Sequence, residues 1–143
     1  MANDAHTLQA EVLTPEGRVF EGDLFQLSTR TTVGEVGIRA RHAPMLARLV
    51  PSELRLYATA EEASAAGGTR YAAGEGWLEV FANRATVLVG EAIDPARLDA
   101  AEQRAALEDA ERRLAEAEDG SAAEELAARD RDRAEAFLKI AER

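Results

Sequence analysis

Apolar and polar residues follow two different periods along this chain. From Leu8 to Val89, short apolar runs are broken at close intervals by turn residues. The runs are Leu8 to Leu13, Arg18 to Phe20, Leu24 to Ser28, Leu46 to Val50, Leu54 to Ala58, Tyr71 to Ala73, Trp77 to Phe81 and Thr86 to Val89. Their length predicts strands, and their regular spacing predicts an all-β sandwich or barrel. The first run stops at Thr14-Pro15-Glu16-Gly17, where proline fixes one turn dihedral and glycine takes a positive one. Asn83-Arg84 predicts a two-residue hairpin turn with the asparagine in a left-handed conformation. Glu61 to Thr69 and the stretch GEVGIRARHAP, residues 34 to 44, read as loops.

After Ile93 the period changes to that of a helix. Asp94-Pro95 is a start signal, with Asp as N-cap and Pro at the first helical position, where its missing N–H costs nothing. From there to Glu118 the chain is rich in the strong helix formers Ala, Glu, Arg and Leu. Ala100, Leu107 and Leu114 recur every seventh residue, with Ala110 and Ala117 between them, which makes one narrow apolar seam. Asp119-Gly120-Ser121 breaks the helix, and Ser121 caps a second one that carries Leu126, Ala134, Phe137, Leu138 and Ile140 at helical spacing. The expected architecture is therefore β + α: a β-sandwich over residues 1–90, then an antiparallel two-helix hairpin over 91–143. The first arm should be about 35 Å long at the usual rise per residue. Its alanine seam buries little area, so the hairpin should need a surface to lie on.

Composition narrows the function. With 143 residues the chain is long enough for one ordinary domain plus an appendage. Hydrophobic residues at 46% and charged residues at 31% predict a folded chain, not a disordered one. The net charge of -10 argues against nucleic-acid binding and against direct docking on anionic lipid. Residues 1–92 carry 12 acids and 8 bases, and residues 93–143 carry 15 and 9, so the hairpin is the more densely charged half and most of its charge should be solvated helix face. The absence of cysteine excludes disulfides and thiolate zinc sites and fits a reducing compartment. The start, MANDAHTLQA, shows no secretory signal pattern, and no apolar window is long enough to span a bilayer, so any membrane association is expected to go through a partner.

Chemistry is hard to find in this chain. Its histidines are His6, in an N-terminal stretch expected to fray, and His42. There is no G-x-S-x-G, no phosphate loop, and one lysine, Lys139. No convergent set of His and carboxylate residues suggests a metal. The expectation is no catalytic residue, no metal and no obligatory cofactor. Two readings of GEVGIRARHAP remain. It is a tight turn whose histidine bonds its own backbone, or a presented contact loop, with Glu35, Arg39, Arg41 and His42 as polar contacts, Ile38 and Met45 as apolar ones, and Pro44 as a stiffener. A free-standing β-sandwich adaptor, with the hairpin pairing an unrelated helical partner, is the rival from another class. A small hydrolase would need an acid/base pair that the chain does not offer.

The segments VLTPEGRVFEG (12 to 22), GEVGIRARHAPMLARLVP (34 to 51) and GWLEVFANRATVLV (76 to 89), followed by the Ala-rich hairpin, resemble in this order the epsilon subunit of bacterial F-type ATP synthases. The resemblance covers essentially the whole chain. It implies a ten-stranded sandwich with a two-helix hairpin. It also implies a noncatalytic role in the rotor of a proton-translocating synthase, at the foot of the central stalk. The partners implied are the gamma subunit and the c-subunit ring, with Glu35 and His42 in the contact loop. The implied location is peripheral, on the cytoplasmic face of the bacterial plasma membrane. An extended hairpin would reach the catalytic alpha and beta subunits and block hydrolysis, with Arg129, Arg131 and Arg133 as its contacts. Some members bind regulatory ATP, and Ile93, Asp94, Arg97, Arg104 and Arg133 match that pattern. The chain departs from the family at several points. Leu98 stands where that motif ends in alanine, Phe137 replaces a second-helix arginine, and Glu75 replaces one of two glycines. Ala40-Arg41 stands in place of Pro-Gly before the histidine.

Overall fold

The computed structural model describes residues 6–143; of the N-terminal stretch expected to fray, residues 1–5 lie outside them and His6 is exposed. The chain divides into two compact units, one ending at Ile93 and the other beginning at Asp94.

The first unit is one ten-stranded sheet wrapped around its own core. Its strands are β1 (Leu8–Thr14), β2 (Gly17–Leu24), β3 (Gln26–Thr31), β4 (Gly34–Arg39), β5 (Met45–Leu49), β6 (Ser52–Tyr57), β7 (Thr69–Ala73), β8 (Gly76–Phe81), β9 (Arg84–Val89) and β10 (Ala92–Ile93). The hydrogen-bonded order is β10-β7-β6-β3-β5-β8-β9-β1-β2, with β4 on the other side of β3. Neighbours are antiparallel apart from β1 and β9, which run parallel. Strand β3 makes the corner. Its first residues pair with β6, while Thr31 pairs with Leu49 of β5, so one short strand feeds two layers.

Alternation decides what faces inward. Leu8, Ala10 and Val12 of β1, Leu78 and Val80 of β8, and Ala85, Val87 and Val89 of β9 all point to the core, each two positions from the next. Burial of a leucine or valine side chain of this kind contributes about 1.5–3 kcal/mol. Gly76 is where two backbones come close: a Cβ there would lie 1.8 Å from the Leu88 carbonyl oxygen, so no other residue fits without moving β9.

Two elements differ from the sequence expectation. Residues 34–39 are not loop but strand β4, fully paired with β3 from Gln26↔Arg39 to Thr31↔Gly34. Glycines and charges hide the strand, yet Glu35, Gly37 and Arg39 point outward while Val36 and Ile38 point in, a plain period of two. Residues 61–69 are not all loop either, since a short helix, α1, spans Ala60–Ser64. Its signal is Thr59-x-x-Glu62: the threonine hydroxyl accepts from the Glu62 N–H at 3.1 Å, and the Glu62 carboxylate accepts from the Ala58 N–H at 2.7 Å.

The second unit is a helical hairpin. Asp94 does cap, accepting from the Ala96 N–H, but it caps only a single 3-10 turn over Pro95–Arg97 before Leu98 returns to extended backbone. The first long helix, α2 (Ala100–Glu116), starts instead at Asp99, whose carboxylate accepts from the N–H groups of Ala101 and Glu102. The arm is therefore about 25 Å long, shorter than the sequence suggested. Gly120, at φ +77°, makes the turn, and Ser121 caps α3 (Ala122–Ala141) by accepting from the Glu124 N–H. Arg104 pairs with Glu142 and Arg113 with Asp130, so the early part of α2 faces the end of α3 and the helices run antiparallel. The seam also shifts. Gln103 and Ala110 are the buried residues of α2, whereas Ala127, Ala134, Phe137 and Ile140 are those of α3. Leu126, expected in the seam, is 50% exposed.

Candidate functional site

The candidate site is built at the end of the sandwich where β4 gives way to β5. Residues 40–44 form the link, and its shape is fixed by a residue from elsewhere in the chain. The hairpin between β8 and β9 turns at Ala82-Asn83, one position before the expected Asn83-Arg84, and Arg84 already belongs to β9. Both turn residues have positive φ, 50° and 61°, which matches the right-handed twist of the strands they join. Asn83 tolerates this conformation and its amide does more. Its Oδ1 accepts from the Arg41 N–H at 2.8 Å, and its Nδ2 donates to the Thr7 carbonyl at 3.0 Å. The Asn83 carbonyl accepts from the Gln9 N–H at 3.1 Å. One asparagine thus ties the 40–44 link, the β8–β9 turn and the start of β1 together.

Arg41 itself sits at φ 62°, in the left-handed region that costs an ordinary residue about 1–2 kcal/mol. The next residue, His42, donates its backbone N–H to the Arg39 carbonyl at 3.2 Å. Its Nδ1 lies 2.7 Å from the Ala43 carbonyl oxygen. A carbonyl only accepts, so Nδ1 carries the proton in that contact and Nε2 is left as an acceptor in the neutral ring. The histidine bonds its own backbone, as the tight-turn reading expected, and that contact leaves the second ring nitrogen unused.

Around the link, exposed apolar side chains gather. Leu46 is 69% exposed and Phe81, next to the Ala82-Asn83 turn, is 65% exposed. Trp77 and Leu88, directly paired across β8 and β9, extend the same outward face and are each about half exposed. Large apolar residues clustered on a rigid sheet mark a contact surface. Strand-like runs alone do not say which of their residues face outward. Their parity does, since Trp77 and Phe81 alternate with the buried Leu78 and Val80.

The structure also redistributes the predicted contact residues. Ile38 is fully buried in the core between Leu27 and its neighbours and offers nothing to a partner. Met45 is half-buried against the core. Arg39, Arg41 and Pro44 are exposed, and His42 half so. Glu35 lies at the opposite end of β4, four residues of strand or about 13 Å from Arg39. There it stands 3.8 Å from an Arg30 nitrogen and 3.6 Å from an Arg55 nitrogen. Glu35 and His42 are therefore two separate points, not one constellation.

The hairpin candidates have partners of their own. Arg104 donates to Glu142 at 3.0 Å, and Asp94 is engaged as a cap. Ile93 pairs with Ala72 in the sheet, and Arg97 is exposed. Phe137 is the largest fully buried side chain of the hairpin, with the Arg133 guanidinium 4.4 Å above its ring. Arg131 pairs with its neighbour Asp132 at 3.0 Å, while Arg129 is exposed. A tighter network lies between the helices, where Asp109 accepts from Arg112 and Arg113, and Arg113 also reaches Asp130 at 2.9 Å. Among the described residues no three His, Cys, Asp or Glu side chains converge as a metal site would require, and no helix is long and apolar enough to cross a membrane.

Comparison with known proteins adds a family. Residues 7–95 match the family described as ATP synthase, delta/epsilon chain, beta-sandwich domain. An ATP synthase epsilon chain of Persephonella marina is 36% identical over 132 residues, which is 92% of this chain and 93% of that one. One from Shouchella clausii is 34% identical over 135 residues, 94% and 90% of the two chains. Among solved structures, a chain of the Euglena gracilis mitochondrial ATP synthase superposes with a TM-score of 0.67 at 19% identity, covering 96% of this chain and 78% of that one. A chain of the Tetrahymena thermophila mitochondrial ATP synthase central stalk and c-ring gives 0.58 at 20%, covering 93% and 95%. These superpositions establish a shared fold for both units.

Proposed function

The chain belongs to the epsilon-chain family of ATP synthases, as a noncatalytic subunit of that complex, and from this premise we propose that it docks on the gamma subunit and the c-subunit ring as a rotor component. The observation that carries the docking reading is the end of the sandwich around His42. A rotor contact must transmit torque without yielding, and this link is held by side-chain bonds to a neighbouring hairpin instead of being left to fluctuate. Leu46 and Phe81 supply apolar anchors, and Arg39, Arg41, His42 and Pro44 a polar rim. The Nε2 of His42, left as an acceptor, takes a hydrogen bond from a polar loop of the partner. Glu35 forms a second, separate contact at the far end of β4. The chain would be held peripherally at the cytoplasmic face of the plasma membrane through these partners.

The hairpin is proposed as an inhibitory arm that reaches the catalytic alpha and beta subunits through Arg129, Arg131 and Arg133. In this chain α3 interleaves those arginines with Asp130 and Asp132, so the arm presents alternating charge, not a uniformly basic face. Regulatory ATP binding through Asp94, Arg97 and Arg104 rests on the sequence pattern. It requires Arg104 to leave Glu142, and Phe137 contributes no charge to it.

Titrating the chain against purified gamma subunit tests the docking reading. His42→Ala and Phe81→Ser should each weaken association about tenfold or more, the loss typical of an anchor side chain, while leaving the melting temperature nearly unchanged because neither side chain is in the core. Unaltered affinity in both variants contradicts it.

A further inference from the structure

On the outward face of β3, β4 and β6, beneath α1, lies an open cleft of about 420 Å³. Its wall holds two guanidinium groups, Arg39 and Arg55, the hydroxyls of Ser28, Tyr57 and Ser64, and no carboxylate. In a chain with 27 acidic and 17 basic residues, that lining is locally basic, with the carboxylates of Glu35 and Glu53 flanking Arg55 just outside it.

The donors in the cleft are under-used. Arg55 Nε is buried and makes no hydrogen bond. It stands 3.8 Å from Glu53, and the Arg55 terminal nitrogen 3.6 Å from Glu35, both beyond hydrogen-bond length. Among the described residues no nitrogen of Arg55 makes a hydrogen bond, and because Nε is enclosed it is the terminal nitrogens, on a side chain 32% exposed, that an acceptor in the cleft would reach. Arg39 is already oriented. Its Nε donates to Gln26 Oε1 at 2.8 Å and its guanidinium lies 4.7 Å over the Phe25 ring, which keeps the two terminal amino groups out of that clasp. Ser28 Oγ accepts from Gln26 Nε2 at 2.7 Å and so retains its own proton to donate.

We propose that this cleft binds a small phosphate-bearing anion between Arg39 and Arg55. Two guanidinium forks with hydroxyl donors suit a group that offers three or four acceptor oxygens, which a carboxylate does not. Free phosphate esters and phospholipid headgroups present the same chemistry. The inference stands apart from the docking reading, although Arg39 serves both.

The test uses the full chain with 15N-labelled arginine. Inorganic phosphate is titrated first, then vesicles of phosphatidylglycerol in phosphatidylcholine. The side-chain Nε–H signals of Arg39 and Arg55 should move saturably. Arg39→Gln, at an exposed position that does not threaten the fold, and Arg55→Gln should each raise the apparent Kd at least tenfold. A response to phosphate identifies a free ligand, and a response to the anionic vesicles alone identifies a headgroup. No saturable shift with either probe, or a Kd unchanged in both variants, overturns the proposal.

Discussion

Asn83 holds the His42 link from outside it. It occupies a left-handed position and bonds to Arg41 and Thr7 through one amide. Asn83→Ala should therefore cost about 2 kcal/mol, combining two lost hydrogen bonds with the left-handed penalty that alanine pays. Asn83→Gly loses the same bonds but not the backbone term, so it should cost less. Urea unfolding followed by the fluorescence of Trp77, the single tryptophan, separates the two. Equal stability of wild type and both variants would show that the amide holds nothing. The sequence made Asn83 legible as a turn residue, because asparagine tolerates positive φ. Its reach to Arg41, 42 positions away, was not legible, since no local pattern encodes a tertiary bond. The same holds for Ile38, whose place in the quoted motif suggested a contact loop while its parity in the strand put it in the core.

At the scale of elements, the two periods carried most of the information. Strands with clean alternation, such as β8 and β9, were visible, and so was the Ser121 cap. Strand β4 was obscured by two glycines and two outward charges, and the start of α2 by a competing cap at Asp94 one short turn earlier. The hairpin also shows an electrostatic device that the sequence shows only as i,i+4 spacing. Arg113, and next to it Arg112, hold the Asp109 carboxyl below its usual value of 3.8. A carboxyl with a depressed folded-state pKa contributes stability above its unfolded pKa, and that contribution is lost as pH falls through the folded value. Asp109→Asn should thus lower hairpin stability at neutral pH, by a modest amount for so exposed a pair, and the difference from wild type should vanish in strong acid. Helical ellipticity followed through an acid titration of the full chain measures it. A difference that persists unchanged at low pH would contradict this account.

At the scale of the whole molecule, the division between sandwich and hairpin was legible from the change of period near residue 93, whereas the strand order was not. The parallel pairing of β1 with β9 brings Gln9 and Arg84, 75 positions apart, into contact, and β3 divides its partners between β5 and β6. These are properties of closure around a core, set by which faces must be buried together and not by any one segment. The family places this two-unit chain in the ATP synthase, and the proposed division of labour assigns docking to the sandwich and regulation to the hairpin. If the hairpin inhibits, removing residues 94–143 should raise ATP hydrolysis by the assembled enzyme several-fold while the sandwich stays bound. Unchanged hydrolysis would remove the inhibitory role and leave the rotor role intact.

The rotor claim is tested most directly by isolating the tagged chain from detergent-solubilised membranes of its own cell and identifying the proteins that accompany it by mass. The account predicts recovery of the gamma subunit together with the ring and catalytic subunits, and their reduction when His42→Ala and Phe81→Ser are combined. Failure to recover gamma from membranes shown to contain the synthase would contradict it.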